Sequence, residues 1–259
     1  MPSLEWKRLL RLLVLAAVCL GAQTHGHASG HPRHDTAGNF AFRERALRDT
    51  APGRRNETQA LQRFALPPPT YQGSRSFAQL LKRRRSVRNF AATPLTLAQI
   101  GQLLWAAQGI TTSGKLRTAP SAGALYPLEL YVVAGHVEGL PAGLYHYDTY
   151  GHILVLVASG DRRRALASAA VQQMWVAEAP VIVVFGAVRA RTSARYGGRA
   201  DRFVHIETGH AAENLFLQAE DMNLGTVVVG SFDDGAVARV LQLADGVAPL
   251  LLMPVGARR

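Results

Sequence analysis

Residues 84–90 read Arg84-Arg85-Ser86-Val87-Arg88-Asn89-Phe90, and residues 119–127 read Ala119-Pro120-Ser121-Ala122-Gly123-Ala124-Leu125-Tyr126-Pro127. The first stretch follows a short helical pattern over residues 76–84, so it places guanidinium groups and a hydroxyl around a helix end and the loop beyond it. A phosphate monoester requires charge-assisted donors that converge from several directions, and this group can supply them. Alone, the stretch reads equally well as a solvated basic helix end. In the second stretch the small residues let backbone approach a flat ring, and Pro127 stops the loop before the apolar run 128–134. Alone, that loop is an ordinary Gly/Pro turn. The two together, in this order and separation, carry more than either does.

Outward from these stretches, short apolar runs alternate with helical patterns. Pro94 and Thr96 open a second helix in which Leu97, Ile100, Leu103, Leu104 and Ala107 recur at helical spacing, and Gly109 stands at the C-terminal cap position. Strands are predicted over residues 128–134, 153–158, 181–188, 226–229 and 250–255, and helices over about 161–173, 202–222 and 234–242. Strands and helices mixed in this way suggest an α+β layered sandwich. The folded domain is expected over residues 71–259.

Two segments precede it. Lys7, Arg8 and Arg11 form a basic start, residues 12–20 an apolar run, and Ala22 or Ala28 a candidate cleavage point. Residues 1–22 therefore read as a signal peptide or N-terminal anchor, and the protein as exported (periplasmic) or membrane-tethered. Residues 23–70 are rich in His, Arg, Gly and Pro, close on Pro67-Pro68-Pro69, and read as a disordered linker. Within it His25, His27, His31 and His34 offer imidazoles to a divalent metal. No turn or helix fixes them, so a solvated tail is the simpler reading and no metal site is expected.

Composition narrows the function classes. The chain has 259 residues, 48% apolar and 18% charged, which excludes wholesale disorder. Its formal net charge is +11, but Lys7, Lys82 and Lys115 are its only lysines and the arginines are scattered from Arg8 to Arg259, so no nucleic-acid surface is expected. The single cysteine, Cys19, excludes a disulfide framework, a Cys-based zinc site and an iron–sulfur cluster. There is no Gly-x-Gly-x-x-Gly, Walker loop or Gly-x-Ser-x-Gly elbow. His205 and His210, about 140° apart around a helix, share no ligand face, and His205 is expected to be a helix-packing residue.

In the quoted stretches and several others the sequence resembles the nitroreductase superfamily of FMN-dependent enzymes. More narrowly, it is similar to the branch that contains SagB-type azoline (thiazole/oxazole) dehydrogenases. Gly143-Leu144-Tyr145-His146-Tyr147-Asp148 followed by His152 matches that branch in order. So do Tyr196-Gly197-Gly198-Arg199, the helix with Glu207, Gly209-His210 and Asn214, Leu224-Gly225-Thr226, Gly230-Ser231-Phe232-Asp233-Asp234 and Pro254-Val255-Gly256. The resemblance implies a three-layer sandwich with a central, mostly antiparallel sheet flanked by helices. It also implies a homodimer with FMN in grooves at the subunit interface.

Carried over residue by residue, the resemblance assigns Arg84, Ser86 and Arg88 to the FMN phosphate and ribityl chain, with Arg85 contributing backbone. It lays Pro120, Ser121 and Gly123 against the isoalloxazine and brings the backbone of Val229, Gly230 and Ser231 near N5. Arg258 or Arg259 is left as the further phosphate ligand. Ala124 stands where the family often has Asn, which removes one side-chain hydrogen bond to the ring. The expected activity is electron transfer from reduced flavin to a small organic acceptor, a quinone or nitro compound, with NAD(P)H as a possible donor. The alternatives are an azoline-type dehydrogenase acting on a peptide, or a flavin-binding protein without catalysis. The branch's Lys-Tyr pair is replaced here by Arg195-Tyr196, the candidate catalytic pair. Arginine stays charged and is a poor base, so azoline oxidation is expected to be weak or absent.

Overall fold

A computed structural model of the chain describes residues 62–113 and 116–259. Seven strands form one sheet: β1 (Arg63–Ala65), β2 (Leu128–Ala134), β3 (Gly143–Asp148), β4 (Ile153–Ser159), β5 (Val181–Val188), β6 (Leu224–Thr226) and β7 (Val247–Ala257), in the order β1-β4-β3-β2-β5-β7-β6. Every pair of named strands is antiparallel. The α-helices among the described residues are α1 (Phe77–Arg83), α2 (Leu97–Gln108), α3 (Arg163–Ala169), α4 (Arg189–Tyr196), α5 (Ala200–Asp221) and α6 (Asp234–Val240).

Strand alternation sorts the core into two layers. Leu128, Leu130 and Val132 of β2 and Val181, Val183 and Phe185 of β5 point to one face, where Ile100, Leu103 and Leu104 of α2 and Leu215 and Phe216 of α5 cover them. Tyr131 and Val133, with Ile182 and Val184, point to the other, beneath Leu166 of α3 and Val237 of α6. One buried face per strand parity, with helices on both sides, is the three-layer α+β sandwich that was expected.

Local signals explain where the elements start. Ser76 and Thr96 each accept a hydrogen bond from the third helical residue, Gln79 and Gln99, whose side chains accept one from the cap residues in return. The C-cap glycine of α2 answers to packing and not to a left-handed turn, since Gly109 has φ −65°. A Cβ there would lie 2.1 Å from Trp105 Cδ1.

The structure departs from several sequence expectations. The end of the expected linker is sheet: Arg63–Ala65 pairs with Val155, Leu154 and Ile153. The helix expected over 202–222 is preceded by a separate one, α4, and the break falls at Gly197, with φ +52°. The strand expected over 226–229 ends at Thr226, after which Val229 alone bridges to Leu252. The expected signal peptide or anchor, the histidine cluster and Cys19 lie outside the described residues.

The exported or membrane-tethered location expected from residues 1–22 is corrected. Among the described residues no helix is long and apolar enough to cross a membrane.

Candidate active site

The basic stretch hangs on the edge of the sheet. Val87 N donates to Thr226 O at 2.9 Å and Ala91 N to Ala257 O at 2.9 Å, which lays residues 86–91 along β6 and the end of β7. Gly225 permits this approach, because a Cβ there would meet Val87 Cγ1 at 2.6 Å. Arg84 is half-buried, with its guanidinium 5.0 Å above the Phe216 ring and its Nε 3.9 Å from Glu213. Arg88 lies 5.7 Å over the Trp175 ring, and Ser86 is exposed. Arg85 turns back to donate to Lys82 O and Arg84 O.

Beside Arg84 runs a groove of about 420 Å³. One wall is the face of α5 formed by His205, Thr208, Gly209, Ala212, Glu213 and Phe216; the other is Val228, Leu250 and Leu251. A Cβ added at Gly209 would meet nothing within 4 Å, so the α5 wall is open there. His205 is thus an exposed groove residue and not the packing residue expected. Val229, Gly230 and Ser231 follow directly from the second wall. Val229 N donates to Leu252 O at 2.9 Å, and Gln173 Nε2 donates to Ser231 O at 3.2 Å.

The loop 120–124 sits elsewhere. Its Gly123 has φ +63°, and a Cβ there would come within 2.9 Å of Arg195 Nη1 and 3.0 Å of Tyr196 Oη, so position and conformation both call for glycine. The candidate pair Arg195-Tyr196, at the end of α4, therefore rests on this loop. Arg195 is exposed, and Tyr196 is half-buried against Phe203. None of Pro120, Ser121, Gly123, Arg195 or Tyr196 lines the groove. One chain thus presents the expected site in two parts.

Arg258 belongs to neither part. It is ion-paired with Glu220 and also donates to Leu224 O at 3.2 Å, while Arg83 Nε holds the other Glu220 oxygen at 3.0 Å. Burial raises the Glu220 pKa, but these two arginines outweigh it and the net shift is downward.

Two buried polar groups behind the loop were not singled out from the sequence. Glu129, the one acid in the apolar run of β2, has Oε2 2.7 Å from His146 Nε2 and Oε1 2.5 Å from Arg191 Nη2. Arg191 also donates to Tyr126 O at 3.0 Å, tying α4 to the end of the loop. Burial, and then the Glu129 charge, hold the neighbouring Tyr131 phenol well above its usual range. Glu207, noted in the sequence only as part of a family pattern, is 2% exposed and points from α5 toward Ser121, Gln108, Arg117 and Arg191. A lone acid within an apolar strand is a signal for Glu129; its partner Arg191 comes from a distant element.

The family model described as Nitroreductase family matches residues 81–257. The chain belongs to the nitroreductase family. A protein of Methanocaldococcus jannaschii designated a nitroreductase is 42% identical over 179 residues, covering 69% of this chain and 89% of its own. An NADPH-dependent oxidoreductase of Staphylococcus epidermidis is 30% identical over 181 residues, 69% of this chain and 63% of that one. The microcin B17-processing protein McbC of Escherichia coli is 28% identical over 171 residues, 62% of each. Among solved structures, a Ralstonia eutropha protein designated a nitroreductase superposes with TM-score 0.68 at 32% identity, covering 76% of this chain and 90% of that one. The nitroreductase-family oxidoreductase fold is thereby established for this chain.

Proposed function

We propose that this nitroreductase-family protein is an FMN-dependent oxidoreductase that passes electrons from NAD(P)H, through reduced flavin, to a small organic acceptor such as a quinone or nitro compound. The observation that carries the reading is the groove: Ala212, Phe216, Val228, Leu250 and Leu251 line it together with His205, Thr208 and Glu213, Gly209 leaves it open, and the Arg84 guanidinium lies over its Phe216 ring. Such a cleft suits a flat aromatic group bearing a phosphate. Arg84, Ser86 and Arg88 would hold the phosphate end, with Arg85 contributing backbone; Gly230 and Ser231 would offer backbone N–H groups to the ring, and Val229, whose own N–H is bonded to Leu252 O, would position them. Arg258 is already committed to Glu220 and is not needed for this set. When bound, FMN supplies the hydride chemistry.

The remaining ring contacts, Pro120, Ser121 and Gly123, stand with Arg195 and Tyr196 outside this groove, which supports a homodimer whose sites each draw on two copies. In this reading Arg195 orients an anionic or carbonyl-bearing substrate and does not move protons. The likeness to McbC keeps a peptide substrate in view, and the missing lysine weighs against azoline oxidation.

The test is purification of the full chain, an absorption spectrum, identification of the released cofactor, and assay of NAD(P)H-dependent reduction of para-benzoquinone and a nitroaromatic. Retained FMN with turnover of either acceptor is expected. A protein that retains no flavin at micromolar concentration overturns the reading. Robust azoline oxidation by the wild type, not increased by Arg195→Lys, would show that the missing lysine is irrelevant.

A further inference from the structure

We infer that Glu207 is the proton reservoir of this site, giving a proton through the Ser121 hydroxyl to the acceptor as it is reduced. The inference rests on the oxidoreductase reading and locates within it a function that Arg195 cannot perform.

Position is the first argument. Glu207 is 2% exposed, on the face of α5 that turns toward the loop, one residue before Thr208 of the groove wall. Ser121 is half-buried and acts on this carboxyl, in a loop whose Pro120 and Gly123 are exposed. The Ser121 Oγ accepts from Tyr126 N at 2.9 Å, which fixes the oxygen and leaves the hydroxyl proton free to turn toward or away from Glu207. A buried acid behind a hydroxyl that borders the surface is a two-member path from the interior to the substrate side.

The surroundings are the second argument. Glu207 Oε1 has no hydrogen-bond partner among the described residues, although the atom is fully buried. A buried carboxylate with an orphaned oxygen is costly, whereas a neutral carboxyl is tolerated. Burial accordingly drives its pKa up to about 7, against the opposing pull of Ser121, Arg117 from the loop after α2, Gln108 at the end of α2, and Arg191 of α4. The two arginines have other carboxylate or amide partners: Arg191 is paired with Glu129, and Arg117 donates to Gln108 Oε1 at 2.7 Å. They moderate the burial effect and do not cancel it. The result is a group that holds and releases a proton near neutrality, as a proton donor must.

The balance is simple. A quinone becomes a hydroquinone by taking up one hydride, supplied by reduced flavin, and one proton. The Ser121 O–H breaks as the hydroquinone O–H forms, the Glu207 O–H breaks as the Ser121 O–H re-forms, and solvent later reprotonates Glu207.

The experiment uses the full chain loaded with FMN, reduced photochemically and mixed with para-benzoquinone in a stopped flow across a pH series on both sides of neutrality. The wild-type reoxidation rate should fall as pH rises through about 7, by about tenfold per unit beyond it. Glu207→Gln should be slow at acid pH and show no inflection, Glu207→Asp should keep the inflection, and Ser121→Ala should be slow throughout. A second readout needs no cofactor. The infrared spectrum of the apoprotein should show a protonated carboxyl band that disappears through the same range and is missing in Glu207→Gln. A flat wild-type profile, a Glu207→Gln profile like the wild type, or absence of the band overturns the inference. If the band titrates as expected but the protein holds no flavin, the oxidoreductase reading fails and takes the proton role with it. If flavin binds and turns over without the band, only the proton role fails.

Discussion

Glu129 is the one acid on β2, and the Arg191 guanidinium and the His146 imidazole make its burial tenable. Arg191 and His146 approach its two oxygens, and all three groups are mostly removed from water. Deleting one member strands the other, so Glu129→Ala should destabilise the protein by about 3–5 kcal/mol, read as a lowered urea midpoint. Glu207 makes a different demand. Its folded pKa of about 7 lies above the ordinary 4.5, so the native state holds a proton that the unfolded chain releases. Its contribution is complete below about pH 4.5 and is lost as pH rises to about 7, an amount on the order of 3 kcal/mol. Glu207→Gln should remove that slope from the stability profile, measured by denaturant titration at several pH values. Arg88, at the surface beside Trp175, has little to do with folding. Arg88→Ala should weaken FMN binding by about 10- to 150-fold with a much smaller change in unfolding free energy. Unchanged FMN affinity would remove it from the phosphate set.

The helices owe their starts to single side chains. Thr96 closes a reciprocal cap with Gln99 at the head of α2, so Thr96→Ala should cost about 1 kcal/mol, visible as a fall in Tm. Gly109→Ala should cost more, because its Cβ would meet Trp105 at 2.1 Å. Elements with a long periodic signal could be read from the sequence: α2 from its apolar spacing, and β2 and β5 from continuous apolar runs buried on both faces. β1 could not, because three residues ahead of a proline run have no period to detect. α4 escaped because Arg189–Tyr196 buries only Thr192 and so carries no apolar stripe to detect. The same contrast holds for the site. Arg84 and Arg88 announce themselves as a local cluster, whereas Glu129 and His146 are brought together by the sheet register, in which Tyr131 pairs with His146, and Arg191 reaches Glu129 from α4.

The whole chain places the groove and the Ser121 loop apart, and a second copy would bring the missing part to each. The 28.0 kDa chain should therefore sediment at about twice its mass when FMN is bound. A monomer that keeps its flavin at micromolar concentration would contradict this. The edge of the sheet has a consequence for handling the molecule. β4 presents Ile153, Leu154 and Val155 to β1, and the seam is extended by Leu156 N donating to Gln62 O at 2.9 Å and Leu66 N to His152 O at 3.1 Å. His152 Nε2, 3.0 Å from Pro67 O, fastens the strand's exit. A fragment begun at residue 71 would strip this cover from a row of backbone donors and acceptors flanked by apolar side chains. Bare edges of that kind recruit strands from other molecules. Such a fragment should scatter light and precipitate at concentrations where the full chain stays clear, while one begun ahead of Gln62 should not.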